Sequence, residues 1–182
     1  MKVDVTRIDR VCRLFCSVVE GIVTERALRE TVGNDLSRAQ FCGLQFVYLH
    51  PQCCIKDLAR GLAVSHPAAV KLVERLEGKK LITRSPDEHD RRVVQLTATR
   101  TGARRAKSVI EARTEAMEAI LAKSGGICAD GLLDCLESFV RAALANEHDV
   151  NGVCLHCGGS HDDDCPVCQA EYALTGELRT DA

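Results

Sequence analysis

The sequence predicts a mainly α-helical fold with one small β-hairpin and a cysteine-rich C-terminal segment. Apolar residues recur at helical spacing over several long stretches, and only two short runs near the middle are β-prone. Four cysteines in two CxxC pairs follow the last helical stretch. At 182 residues, 46% of them hydrophobic and 27% charged, the chain suits one domain with a small appendage.

Two helices are expected in the first fifty residues. Apolar positions fit one helix over 6–31, which Gly33 ends. Ser37 is a good N-cap for a second helix that runs to about residue 48. Residues 51–54, which contain a proline and a pair of cysteines, then form a loop.

A helix-turn-helix and a hairpin are expected next. A short helix covers 55–62, and Ser65 caps a second helix that ends near Gly78, with Pro67 in its first turn. Two β-prone runs, 81–84 and 93–97, flank a polar turn. Helix, tight turn, helix and two-stranded wing together make a winged helix-turn-helix.

Two long helices complete the predicted main unit. One runs from about Gly102 to Lys123, and after a Gly-Gly break the other covers about 129–147. With the first helix, they would be dimerisation helices that flank the winged helix. We therefore expect a first unit over 1–149, with its DNA-binding core at about 52–102, and a cysteine-rich, zinc-knuckle-like segment with an acidic tail over 150–182.

The charge distribution points to duplex DNA. Between Lys56 and Lys107 there are thirteen Lys and Arg against six Asp and Glu, although the whole chain has a net charge of −2. One basic region on an otherwise acidic protein is typical of a nucleic-acid contact. Aromatic residues make up only 3%, with no Trp, which argues against recognition by base stacking.

The second helix of the motif and the wing supply the candidate contacts. Side chains at the start of a recognition helix can donate to phosphates or base edges, and a hairpin tip can reach the minor groove. The residues expected to contact DNA are Ser65, His66, Pro67, Ala68, Lys71, Arg75, Asp90, Arg91 and Arg92.

These segments resemble the MarR family of transcription regulators. The resemblance covers roughly 5–148 and depends on the run Ser65-His66-Pro67-Ala68-Ala69-Val70, on Leu72-Val73-Glu74-Arg75-Leu76-Glu77, on Leu81-Ile82-Thr83-Arg84, and on Asp90-Arg91-Arg92 followed by Thr99-x-x-Gly102. It implies a homodimer on a pseudo-palindromic operator, released in many members by a small molecule or an oxidant. It also implies that Arg92 enters the minor groove while Asp90 orients it.

One departure from the family pattern concerns the turn before the wing. The family usually has a Gly, often a left-handed helix cap, where this chain has Lys80. We expect Gly78 to take this role, which would shift the turn by two residues.

The C-terminal cysteines predict a metal site. Cys154 and Cys157 form one CxxC pair, and Cys165 and Cys168 form the other. Two such knuckles can complete a tetrahedral site of four thiolates. Zinc is the first expectation and an iron–sulfur cluster the alternative, since four thiolates also hold a cluster. The site would be structural or sensory.

The other seven cysteines are less informative. Cys12 and Cys16, one turn apart, are expected to be buried, with a redox-sensing role as the alternative; Cys42, Cys128 and Cys135 are expected in the core. Cys53 and Cys54 are the better exposed candidates for redox thiols. No thiol reactivity follows from sequence alone.

The function expected from these features is sequence-specific regulation of transcription, with repression as the first expectation. The alternatives are a redox-sensing regulator with an iron–sulfur cluster or reactive thiols, a thiol–disulfide enzyme, and an adaptor that docks a partner on 160–182. No thioredoxin-like pattern surrounds the cysteines and no other catalytic fingerprint is present, so we expect no enzyme. No apolar run predicts a membrane span or a signal peptide, so we expect a cytoplasmic protein.

Overall fold

The computed structural model describes residues 4–87, 93–124, 129–146, 149–150, 152–154 and 164–176. It is mainly helical with one two-stranded antiparallel sheet. In chain order the elements are α1 (Val5–Val18), a π-helical segment (Val19–Thr24), α2 (Glu25–Val32), α3 (Arg38–Leu49), α4 (Ile55–Gly61), α5 (His66–Gly78), β1 (Ile82–Pro86), β2 (Val94–Ala98), α6 (Arg100–Lys123), α7 (Ala129–Ala143) and α8 (Pro166–Thr175).

The first predicted helix is three consecutive helical pieces. The π-helical segment separates α1 from α2, and the buried Thr24 hydroxyl donates to the Val19 carbonyl at 3.1 Å within it. Gly33 ends α2 with φ +58°, as its position predicts. The apolar stripe of α1 does not enter the core, because α1 buries none of its residues within this chain.

The core lies between α2, α3, α5, α6 and the sheet. Leu44 of α3, Val73 of α5 and Leu96 of β2 are fully buried in it. Ser37 caps α3 in a reciprocal capping box with Gln40, as the sequence predicts. The core therefore fixes α5 by its inner face and leaves its outer face exposed.

The helix-turn-helix is α4 followed by α5. Ser65 caps α5 by accepting from the Ala68 amide at 3.4 Å. Ala63, in the turn, has φ +51°, and the amide of Val64 reaches back to the Ala59 carbonyl at 2.9 Å. This is the 6→1 bond of a Schellman turn, with alanine at the position that usually favours glycine.

The wing pairs Ile82 with Ala98 and Pro86 with Val94. The edge of β2 that does not face β1 is also hydrogen-bonded, because the Leu96 amide donates to the Cys53 carbonyl at 2.8 Å. The loop before α4 thus adds a short third strand position, which ties the helix-turn-helix to the wing.

The turn between α5 and β1 corrects the expectation for Gly78. Gly78 is the last helical residue of α5, and Lys80 itself adopts φ +57°. The Lys80 amide donates to the Glu77 carbonyl at 2.8 Å, and the next amide donates to the Leu76 carbonyl at 3.0 Å. These two bonds define a Schellman motif with Lys80 in the glycine position, so the turn is not shifted.

Replacing Lys80 with glycine should therefore stabilise the protein. A side chain in the left-handed region costs about 1–2 kcal/mol, and glycine's larger unfolded-state entropy offsets part of the gain. We expect a net increase of about 0.5–1 kcal/mol in the free energy of unfolding in urea. Lys80→Ala keeps the Cβ and removes the charge, so it should not raise the free energy of unfolding. If Lys80→Ala and Lys80→Gly raised it equally, backbone strain at position 80 would not be the cause.

The described residues after α7 include one helix, α8, that was not expected from the sequence. Helix α7 ends at Ala143, four residues before the expected end, and α8 packs against it. A second hydrophobic cluster joins them: Leu144, Val150, Cys154, Val167 and Ala170, with Val140 and Cys165 against it. The cluster includes residues on both sides of position 149, so the expected unit boundary there stays a prediction. None of the described helices is long and apolar enough to cross a membrane.

Candidate nucleic-acid interface and thiol sites

Helix α5 presents its polar face to solvent. The six candidate contact residues of this helix and its cap are all exposed: Ser65, His66, Pro67, Ala68, Lys71 and Arg75. Ala69, Val73 and Leu76 are buried on the opposite side. The structure therefore places these candidates along one exposed side of α5: the first four lie at its N-terminus, where the first backbone amides have no partner within the helix, and Arg75 lies in its last turn.

The Ser65 side chain can serve the helix and a ligand at once. Its Oγ accepts the Ala68 amide with a lone pair, and this bond does not use the hydroxyl hydrogen. That hydrogen can donate to a phosphate oxygen beside the α5 N-terminus. The positive end of the helix dipole favours an anion at the same place.

An ion pair links the wing to α5. Arg84 Nε of β1 lies 3.1 Å from Glu77 Oε2 near the end of α5. The tip candidates Asp90, Arg91 and Arg92 lie outside the described residues. Their positions in sequence fall between the paired strand ends Pro86 and Val94, and their roles stay predictions.

The Thr99-x-x-Gly102 motif is the joint between α5, the wing and α6. The Thr99 hydroxyl accepts the Gly102 amide at 3.0 Å and donates to the Lys80 carbonyl at 2.9 Å, while the Thr99 amide donates to the Leu81 carbonyl at 2.9 Å. A Cβ added to Gly102 would lie 2.0 Å from the Leu81 carbonyl oxygen. From the sequence, this motif was only a mark of family resemblance, and its hydrogen bonds between these elements were not predicted.

Cys53 and Cys54 are less exposed than the sequence suggested, and their redox role stays a prediction. Cys53 is buried, and burial raises the pKa of its thiol to about 12, with Asp57 and Cys54 adding to the shift. Cys54 is half-buried at the start of α4; its Sγ lies 3.0 Å from Asp57 Oδ2, and its amide donates to the same oxygen at 3.1 Å. Cys54 also bridges Gln95 of β2.

The cysteines expected to be buried are less so within this chain. Cys12 and Cys16 of α1 and Cys135 of α7 are exposed, because they lie on sides of these helices that none of the described residues covers. Cys42 is half-buried, and burial raises the pKa of its thiol. Cys128 lies outside the described residues.

Three of the four proposed metal ligands are described, and they fall in one region. Cys154 and Cys168 are buried, while Cys165 is half-buried at the N-cap of α8. Burial, followed by a hydrogen bond with Cys165, raises the pKa of the Cys168 thiol to about 11. Cys157 lies outside the described residues, and among those described no three His, Cys, Asp or Glu side chains are placed to hold a metal ion.

A cavity of about 320 Å³ lies behind the helix-turn-helix. Its walls come from the π-helical segment, α3, α4 and α6, and they include Phe41, Cys42, Phe46, His50 and Arg113. The rings of Phe46 and His50 are in contact, with centroids 4.4 Å apart and planes tilted by 40°. No local sequence signal predicts this cavity, because its lining residues are distant in the chain.

Comparisons with known proteins agree with this architecture. Residues 34–93 match the model of the MarR family. An HTH-type transcriptional regulator of Bacillus subtilis, the uncharacterized YwhA, is 28% identical over 95 residues, which are 52% of this chain and 68% of that protein.

Solved structures show the same fold over most of the chain. A transcriptional regulator from Thermotoga maritima is 29% identical, with a TM-score of 0.59 over 76% of this chain and 94% of its own. FabT of Streptococcus pneumoniae, solved in complex with DNA, is 19% identical, with a TM-score of 0.61 over 75% of this chain and 94% of its own. Together, the comparisons make this chain similar to winged-helix transcription regulators of the MarR type, in sequence over residues 34–93 and in fold over about three quarters of its length.

Proposed function

We propose that this chain is a homodimeric transcriptional regulator that reads a pseudo-palindromic duplex DNA site with α5 and its wing. The observation that carries the proposal is the exposed polar face of α5, from Ser65 to Arg75, on a helix whose other face is locked into the core. A rigid helix with outward amides and cations fits the major groove. We infer repression in the cytoplasm as its mode of action, through occupation of an operator.

A band-shift assay with fragments of genomic DNA tests the DNA-binding part of this proposal. Retarded fragments should compete against an excess of unrelated duplex, and binding should weaken steeply as salt rises, because bound cations displace phosphate counterions. Complete absence of retardation at low salt would refute the proposal.

The dimer is proposed to form through helices that this chain leaves uncovered. Phe15 of α1 and Phe139 of α7 are 40% and 61% exposed. A groove between the π-helical segment and α6 has an apolar floor with Arg26 and Lys123 at its rim. Helix α7 also carries two exposed carboxylates, Asp130 and Asp134, whose charge is opposite to that of this rim.

Phe15→Arg should weaken the dimer strongly. A charge in the centre of an apolar interface would be buried without a partner, and we expect the dimer dissociation constant to rise at least about tenfold, which is 1.4 kcal/mol. Sedimentation velocity measures this constant. Arg10→Ala changes the polar side of the same helix and serves as the control. If Phe15→Arg behaved like the control, α1 would not be part of the interface.

We further propose that Cys154, Cys157, Cys165 and Cys168 bind zinc. Support comes from the paired CxxC spacing, from the burial of Cys154 and Cys168, and from the packing of Cys154 and Cys165 in one small cluster with α8. Cys165 is the N-cap residue of α8 and Cys168 lies in its first turn, so one helix end carries both thiols of the second CxxC pair. An iron–sulfur cluster is the alternative, and it would make the site redox-sensing.

Metal content and colour separate these two cofactors. Anaerobically purified protein should be colourless and hold one zinc per chain, and Cys168→Ser should lose it. Cys135→Ser, an exposed thiol on α7, should retain it. A brown protein with visible absorbance would mean that the site holds an iron–sulfur cluster and not zinc. A metal-free protein would refute both proposals.

The cavity behind the helix-turn-helix is the proposed site for a small effector. Phe41 and Phe46 supply apolar walls, while Glu20 and Arg113 supply one charge of each sign. A small, mainly apolar molecule with a few polar groups fits this lining. Because the cavity touches both α4 and the dimer-side helices, a bound ligand can bias the angle between them.

A further inference from the structure

The exposed start of α5 is apolar as well as polar. Pro67 and Ala68 in its first turn are exposed, and Val64, just before the Ser65 cap, is 40% exposed. Val64 has the position that usually makes a hydrophobic contact with the preceding helix in a Schellman turn, yet much of it is uncovered. Small apolar side chains are therefore part of the surface that we propose to enter the major groove.

The two apolar residues of the first turn lie on the same side of α5 as its cations. Pro67, Lys71 and Arg75 are spaced four residues apart, and Ala68 stands three residues before Lys71. The apolar side chains are short and the cationic ones are long. The helix can therefore approach base edges closely at Pro67 and Ala68, while Lys71 and Arg75 reach out to phosphates or bases.

Neither Pro67 nor Ala68 can read a base through a hydrogen bond. A proline has no amide hydrogen, and the Ala68 amide already donates to Ser65 Oγ at 3.4 Å. Their side chains carry no polar atom, and carbonyls of the first turn are used inside the helix. The 5-methyl group of thymine is the apolar group that base pairs present in the major groove. It is therefore the base feature that these two residues can contact.

The rest of α5 has no side chain that suits adenine. Asparagine and glutamine bind adenine through two hydrogen bonds, and α5, which is described over its whole length, contains neither. Lys71 and Arg75 favour guanine where they reach a base. Recognition of an A·T pair by this helix therefore falls to the thymine of the pair.

We infer that Pro67 and Ala68 bind thymine methyl groups, so that each half-site, the half of the palindrome read by one chain, contains a thymine at the start of α5. The inference rests on the proposed function, because it specifies the base sequence that the same helix reads. Ala68 and Arg75 are seven residues apart, which is about 10 Å along a helix and about three base-pair steps. The thymine and the contact of Arg75 thus fit within one half-site.

Deoxyuridine in place of thymine tests this inference with the unaltered protein. The change removes the 5-methyl group and leaves the charge and the hydrogen-bonding edges of the base pair as they were. Each thymine of a selected duplex is replaced in turn, and the dissociation constant is measured by band shift. We expect replacement of at least one thymine in each half-site to raise it about fourfold, the value for burying one methyl-sized group.

A thymine outside the inverted repeat is the control, and its replacement should leave the dissociation constant unchanged. If no duplex is selected, the proposed function fails together with the inference. If a duplex is selected and no replacement weakens binding, the inference alone is overturned.

Glycine variants of the first turn test which residues make the contact. Ala68→Gly removes the methyl group that meets thymine, so its dissociation constants for the thymine and deoxyuridine duplexes should agree within about twofold. Lys71→Ala is the matched control: it should weaken binding to both duplexes and keep the difference between them, because it removes a phosphate contact. A parent-like difference in both Ala68→Gly and Pro67→Gly would assign the methyl contact elsewhere and overturn the inference. The deoxyuridine series uses the parent chain, so it decides the inference even if a glycine variant does not fold.

Discussion

Gly102→Ala is expected to lower the free energy of unfolding by about 3 kcal/mol and the melting temperature by roughly 6–12 °C. The added Cβ would lie 2.0 Å from the Leu81 carbonyl oxygen, and that oxygen also accepts the Thr99 amide at 2.9 Å. Backbone held by such a bond cannot move aside as a flexible side chain can. Thermal unfolding followed by circular dichroism measures the change.

Gly78→Ala is the matched control for this prediction. Gly78 is also helical, and nothing lies within 4 Å of a Cβ built on it. Alanine has the better helix propensity, so this variant should be as stable as the parent or slightly more so. Equal stability of Gly102→Ala and the parent would show that α6 does not seat against the wing as described.

Lys71→Ala combined with Arg75→Ala is expected to reduce DNA affinity at least about thirtyfold at low salt, with the fold unchanged. Both side chains are exposed on the outer face of α5, so their removal leaves the core intact. Two lost phosphate contacts should also lower the slope of log affinity against log salt by about 2. A band-shift titration at several salt concentrations measures both effects.

A double variant of the same charge, Arg29→Ala with Lys107→Ala, controls for net charge. These residues lie on α2 and α6, where each pairs with an acidic residue one turn away. Their loss should change affinity less than about threefold, since screening weakens charges beyond a Debye length. If both double variants lost the same DNA affinity, the cations of α5 would act only through the net charge of the protein and not through contacts with DNA.

Local signals in the sequence were sufficient for most helix boundaries. Ser37, Ser65 and Gly33 act at the positions predicted, because capping depends on a few adjacent residues. The π-helical segment had no such signal. Its extra residue per turn is visible only when the neighbouring helices are in place.

Lys80 shows how tertiary packing overrides a local preference. Glycine adopts positive φ most easily, so Gly78 was the reasonable choice from sequence. Leu76 and Leu81 are both buried, however, and the bond between their backbone groups fixes the register of the turn. Position 80 therefore has the strained backbone conformation, and this would hold for any residue there.

The cysteines were misjudged for a related reason. A pattern of apolar neighbours predicts which helix face is buried, but not whether this chain or another copy buries it. Cys12 and Cys16 accompany an apolar face that remains uncovered, whereas Cys53 enters the core through its bond to the wing. The exposure of the candidate DNA-contact residues on α5 was easier to predict, since it follows from the burial of Val73 and Leu76 on the other face.

Selection of bound duplex DNA from a random pool tests the central claim most directly, because it reports the reader and its symmetry together. A two-fold symmetric dimer that reads DNA with α5 should enrich an inverted repeat with half-sites about one helical turn, roughly 34 Å, apart. It also predicts that Lys71→Ala with Arg75→Ala abolishes the enrichment. A pool that yields no common sequence, or a single asymmetric site bound by one chain, would contradict a dimeric reader built on α5.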